Sequence, residues 1–151
     1  DADALNILTR EFVESIPEEQ RQGWVLTPHP GEMGRLVGQS AQWVNERRGT
    51  IARELAARWG VTVVLKGAPT VICGSQRMYI STAGNPGMGS AGMGDVLTGV
   101  IAALLSQGLR PFEAAALGAY IHGLAGDSAA QRGMRGLMAS DCLAAVQSIL
   151  E

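Results

Sequence analysis

The sequence predicts an α/β fold, and three observations carry that reading. Helix-like and strand-like segments alternate up to a glycine-rich loop, and helices alone follow it. Val61-Thr62-Val63-Val64-Leu65 is a short, almost wholly apolar run, the pattern of a strand covered on both faces. Gly84-Asn85-Pro86-Gly87-Met88-Gly89-Ser90-Ala91-Gly92-Met93-Gly94-Asp95 runs straight into an apolar helix. With 151 residues and 46% hydrophobic content, the chain has one domain's worth of core material.

In chain order, Leu5, Leu8, Phe12 and Val13 recur at helical spacing, so a first short helix is expected before Pro17, with Asp1 and Asp3 at its positive end. Trp24 to Thr27 reads as a short buried strand, stopped by Pro28-His29-Pro30-Gly31. His29, between two prolines, is held extended, and Glu32 opens a small helix. A longer amphipathic helix is expected over 41–59, capped by Ser40 and ended by Gly60. Val44, Ile51, Leu55 and Trp59 form its inner face, and Arg47, Arg48, Arg53 and Arg58 are expected in solvent. The strand over 61–65 then delivers Lys66-Gly67-Ala68-Pro69-Thr70, and a hairpin over 71–80 turns at Gly74-Ser75. Beyond the glycine-rich loop, a helix from Val96 buries Val96, Leu97, Val100, Ile101, Leu104 and Leu105. Pro111 opens another, rich in Ala and Gly and therefore closely packed, carrying His122 and ending near Asp127. A final helix starts at Ser140-Asp141, with Leu143, Val146, Ile149 and Leu150 facing inwards.

A net charge of −2 gives no electrostatic footprint for nucleic acid, and no basic run suggests a membrane surface. No apolar run approaches membrane-spanning length. Cys73 and Cys142 stand alone, without metal-ligand spacing, and read as reduced core thiols of a cytoplasmic protein.

The chemistry concentrates in three clusters that an open α/β sheet would bring to one edge: His29 with Glu32, Lys66 to Thr70, and the glycine-rich loop with Asp95. Backbone amides of a glycine-rich loop, together with a helix N-terminus, make an anion cradle. Gly87-x-Gly89-x-x-Gly92 satisfies the dinucleotide fingerprint literally, but no strand ending in an acid follows. Gly89 to Gly94 half-matches a phosphate-binding P-loop, whose lysine position is taken by Asp95. A carboxylate there can take a proton from a hydroxyl that attacks a phosphate, or it can simply cap the helix. His29 reads equally as a polar turn residue, Glu32 as a first-turn acid, Lys66 as a strand-end charge, and His122 and Asp127 as structural.

Three stretches closely resemble the NAD(P)H-hydrate dehydratase family: Thr27-Pro28-His29-Pro30-Gly31-Glu32-Met33, Leu65-Lys66-Gly67-Ala68-Pro69-Thr70-Val71-Ile72 and Gly92-Met93-Gly94-Asp95-Val96-Leu97-Thr98-Gly99. The stretches 1–6, 85–89, 122–127 and 136–141 are similar to the family pattern as well. The resemblance implies a ribokinase-like, three-layer αβα sandwich and a repair reaction. Hydrated NADH or NADPH (NADHX, NADPHX) is phosphorylated on its ring hydroxyl at the expense of ADP or ATP, and phosphate then leaves. It further implies that Asp95 is the base and contacts the hydrated ring, and that His29 binds the same substrate. Lys66, Gly67, Ala68, Pro69, Thr70 and Gly94 would hold the nucleotide, with Glu32, Asn85 and Gly92 as further candidates. Mg²⁺ is expected with the nucleotide, with Glu32 acting through water. His29-Pro30-Gly31-Glu32 replaces the Asn-x-x-Glu of related sugar kinases, which favours a dehydratase over a small-molecule kinase. By this resemblance, residues 1–151 are the C-terminal half of the family's domain. Two further expectations follow: a homo-oligomer or association with the missing N-terminal half, and, as an alternative, a non-catalytic nucleotide-binding fragment.

Overall fold

Side chains of the central strand alternate between two separate cores, and this sets the architecture. In a computed structural model, which describes residues 1–150, β2 (Thr62–Leu65) is buried along its whole length. Val63 and Leu65 point into one apolar cluster and Val64 into another. β2 pairs in parallel with β1 (Val25–Leu26) and antiparallel with β3 (Thr70–Cys73), which forms the expected hairpin with β4 (Met78–Ser81). The sheet order is β1-β2-β3-β4.

One face is covered by α1 (Ala2–Ile7), α2 (Arg10–Ser15), α4 (Pro30–Val37), α5 (Ala41–Glu46) and α6 (Arg48–Trp59), with the short α3 (Glu18–Arg21) between α2 and β1. The other is covered by α7 (Met93–Ser106), α8 (Pro111–Ala129) and α9 (Ala139–Leu150). The result is a three-layer αβα sandwich.

Four expectations need correction. The first helix is broken into two, because Leu8 and Thr9 are extended and the Thr9 side chain caps a new start by accepting from the Phe12 amide. The helix over 41–59 is interrupted at Arg47 (φ −131°, ψ 25°), which separates a segment capped by Ser40 from one ended by left-handed Gly60. Leu143 and Leu150 are exposed, since Cys142, Val146 and Ile149, spaced by four and three, form the inner face of α9 and Leu143 lies about 100° round from it. Arg48 is not a solvated surface charge; it is half-buried against the Lys66–Thr70 loop.

α8 is as closely packed as its Ala and Gly content predicts. A Cβ on Gly118 would come within 2.7 Å of Ile101, and one on Gly123 within 2.7 Å of Ala83. These approaches seat α8 against α7 and against the entrance to the glycine-rich loop.

Candidate active site

The C-terminal ends of β1 and β2 and the N-terminus of α7 converge on the Lys66 ammonium. Its Nζ lies 2.6 Å from Asp1 Oδ1 and 3.7 Å from Glu32 Oε2. A Cβ on Gly94 would stand 3.2 Å from Nζ, so the first turn of α7 lies close against the end of the lysine side chain. Thr98, one turn further along α7, donates to Asp1 Oδ2 at 3.1 Å. Burial lowers the Lys66 pKa, and the carboxylates of Glu32 and Asp95 pull it back up.

Glu32 is the most buried acid of the group, its side chain only 7% exposed. Its carboxylate accepts from the His29 amide at 2.7 Å, and His29 Nδ1 accepts from the Gly31 and Glu32 amides at 3.0 and 3.2 Å. This reciprocal cap fixes His29 at the start of α4. Because Nδ1 is an acceptor, the neutral ring carries its proton on Nε2, which stands 3.6 Å from Glu32 Oε1 on an exposed side chain. His29 is thus both a helix cap and a presented donor.

The glycine-rich loop owes its shape to two polar residues. Asp127 accepts from the Gly84 amide at 2.9 Å and from Asn85 Nδ2 at 3.0 Å, while Asn85 Oδ1 accepts from the Gly87 amide at 3.0 Å. Asn85 therefore serves the loop itself, and Asp127 has the structural role expected of it. The loop ends at Gly92, whose left-handed backbone (φ 85°) turns the chain into α7. Helix α7 begins at Met93, three residues before the expected Val96, and no side chain caps it. The Met93 amide donates to Ser90 O at 3.5 Å and the Val96 amide to Gly92 O at 3.1 Å, which leaves the Gly94 and Asp95 amides between them to meet an anion. Asp95 is exposed in that first turn.

The loop after β2 turns sharply. Thr70 Oγ1 donates to Gly67 O at 2.9 Å, and three carbonyls of the stretch accept from Arg48. Sequence reasoning missed both Arg48 and Asp1. Helical periodicity alone places an arginine outside, and the Lys66–Asp1 pair spans sixty-five positions. Among the described residues no group of three or more metal-ligating side chains is assembled. The donor set fits a Mg²⁺ ion carried mainly by phosphate oxygens and water, with at most one or two carboxylates from the chain. A groove of about 360 Å³ at the opposite end of β2, lined in part by Gly60, Val61, Gly74 and Arg77, holds none of the predicted residues.

A doubly covered sheet with a glycine-rich loop opening onto a helix N-terminus beside an acid is the arrangement of a ribokinase-like α/β protein. A family model described as NAD(P)H-hydrate dehydratase matches residues 1–148. The chain belongs to the NAD(P)H-hydrate dehydratase family. It is 53% identical, over 145 residues, to a bifunctional NAD(P)H-hydrate repair enzyme of Moorella thermoacetica, covering 95% of this chain and 27% of that protein. It is 43% identical, over 128 residues, to an ADP-dependent (S)-NAD(P)H-hydrate dehydratase of Neisseria meningitidis, covering 84% of this chain and 43% of that one. A Bacillus subtilis ADP/ATP-dependent NAD(P)H-hydrate dehydratase co-crystallised with ATP and Mg²⁺ superposes with a TM-score of 0.79 at 30% identity, over 83% of this chain and 46% of its own. The chain thus spans less than half the length of each of these relatives.

Proposed function

We propose that this chain is the nucleotide-holding half of a cytoplasmic dehydratase that returns hydrated NADH and NADPH to NADH and NADPH, with ADP as phosphoryl donor. The observation that carries this reading is Asp95, an exposed carboxylate in the uncapped first turn of α7, next to Gly94, where a Cβ would stand 3.2 Å from Lys66 Nζ. An anion at those amides and a base beside them are the two parts a phosphoryl transfer to a hydroxyl requires.

The amides of Gly94 and its neighbours hold the phosphates, with the Lys66–Thr70 loop along the nucleotide. His29 orients the hydrated ring through Nε2–H. Asp95 takes the proton of the ring hydroxyl as its oxygen attacks the terminal phosphorus of ADP, and AMP leaves. The ring C–O bond of this phosphate ester then breaks, phosphate departs with the electron pair, and loss of a proton from the neighbouring ring carbon to the departing phosphate restores the ring double bond. Mg²⁺, when bound with the nucleotide, supplies counter-charge to the phosphates, and Glu32 is the carboxylate placed to hold its water. The remainder of the domain, or a second copy of the chain, completes the substrate side.

The test is recovery of nicotinamide absorbance from hydrated NADH, with ADP and ATP compared, on this chain and on a protein of the relatives' full length. Recovery in either protein supports the dehydratase reading, and the nucleotide preference is read directly. Phosphorylated product accumulating without recovery would make the protein a small-molecule kinase. Nucleotide binding without turnover in either protein would make it a binding fragment.

A further inference from the structure

We propose that Arg48 is the positioning residue of the nucleotide loop: its guanidinium gathers the carbonyls of Leu65, Lys66 and Pro69 to one side, so that the loop presents the Gly67 amide to a phosphate. The proposal rests on the nucleotide-binding reading of residues 66–70 given above.

Arg48 Nη2 donates to Leu65 O, Lys66 O and Pro69 O at 3.0, 2.9 and 2.9 Å, and Nε donates to Pro69 O at 3.2 Å. Nη1 is held by Asn45 Oδ1 at 2.8 Å, which fixes the plane of the fork from behind. In a trans peptide the carbonyl and the following N–H point in opposite directions. With Lys66 O on the guanidinium, the Gly67 N–H therefore faces away from it. Lys66 N is already committed to Pro28 O at 2.8 Å, which ties the loop to the His29 segment. Gly67 is required at this turn, because its φ is 142° and a Cβ would lie 2.6 Å from Arg48 Nη2.

The charge matters as much as the geometry. All of these partners are neutral, and burial pushes the Arg48 pKa down. A half-buried cation held by carbonyls alone lacks a counter-charge, and an anion on the other side of the loop supplies one. Three carbonyl oxygens turned towards the ligand would instead repel phosphate. A lysine cannot replace this arrangement, since a point ammonium lacks the planar fork that reaches separated acceptors.

The test is calorimetric titration of this chain with Mg-ADP and Mg-ATP, with folding followed by circular dichroism. Arg48→Ala is expected to weaken binding by roughly tenfold or more, and Arg48→Lys to fall short of wild type. Millimolar guanidinium should restore affinity to the alanine variant and leave the lysine variant unmoved, a rescue that a merely structural arginine would not give. Should Arg48→Ala unfold, Arg48→Lys carries the test, with weakened binding. Affinity within twofold of wild type in folded Arg48 variants would overturn the role of Arg48 and leave the nucleotide reading intact. Wild-type chain that bound neither nucleotide would overturn the nucleotide reading and this one with it.

Discussion

Lys66 is a cation held almost out of water by Asp1 and Glu32, with its own side chain 19% exposed. Removing a charge from such a group leaves carboxylates facing a low dielectric without compensation. Lys66→Met is therefore expected to destabilise the protein by about 3 kcal/mol, read by urea unfolding at neutral pH. Asp95 contrasts with it. This carboxylate is exposed and caps nothing, so its removal should cost little stability. Asp95→Asn is expected to lower turnover by about 10³-fold while ADP affinity stays within about fivefold, measured by the absorbance assay and by titration. A collapse of nucleotide binding instead would assign Asp95 to holding the helix end. Asp95, His29 and Lys66 were all legible in the sequence, because short motifs place them on turns. Arg48 and Asp1 were not. One looked like any arginine on an amphipathic helix, and the other acquires its role from a lysine far along the chain.

At the scale of elements, the position of the α7 N-terminus depends on how closely α8 approaches it. Gly118 meets Ile101 with no room for a Cβ, so Gly118→Val must part the two helices or distort the new side chain. The expected cost is about 1–3 kcal/mol in thermal or urea unfolding, accompanied by weaker ADP binding as the first turn of α7 moves away from Lys66. An unchanged affinity in a destabilised variant would separate the helix contact from the site. The same elements show why boundaries were harder to read than identities. Strand β2 and the hairpin follow from β-branched runs and a glycine turn, and α8 from its Pro start and its small residues. The breaks at Leu8–Thr9 and at Arg47 leave no such signal, because apolar spacing continues across them and tertiary packing decides where the axis bends.

For the whole molecule, the two cores on opposite faces of the sheet are joined through β2 and β3, and the one lined by α7, α8 and α9 contains a titratable group with no evident part in the chemistry. His122 on α8 has its Nε2 buried without a hydrogen-bond partner. Burial lowers its pKa from the ordinary 6.5, outweighing a backbone hydrogen bond at Met93 that pulls the other way. The unfolded chain therefore takes up a proton near pH 6.5 that the folded chain resists until lower pH. Stability from the neutral imidazole is complete above about pH 6.5 and is lost as pH falls from there towards the folded value. Urea unfolding of wild type and His122→Gln across pH 7.5 to 5 isolates this contribution from the carboxylates, which titrate in both proteins. The stability difference between wild type and variant should shrink, and then favour the variant, as the solution is acidified. A difference independent of pH would show that His122 binds its proton in the folded state as readily as in the unfolded chain. Because His122 abuts Met93, the first residue of α7, the same acid titration followed by ADP binding would report whether this core communicates with the anion cradle.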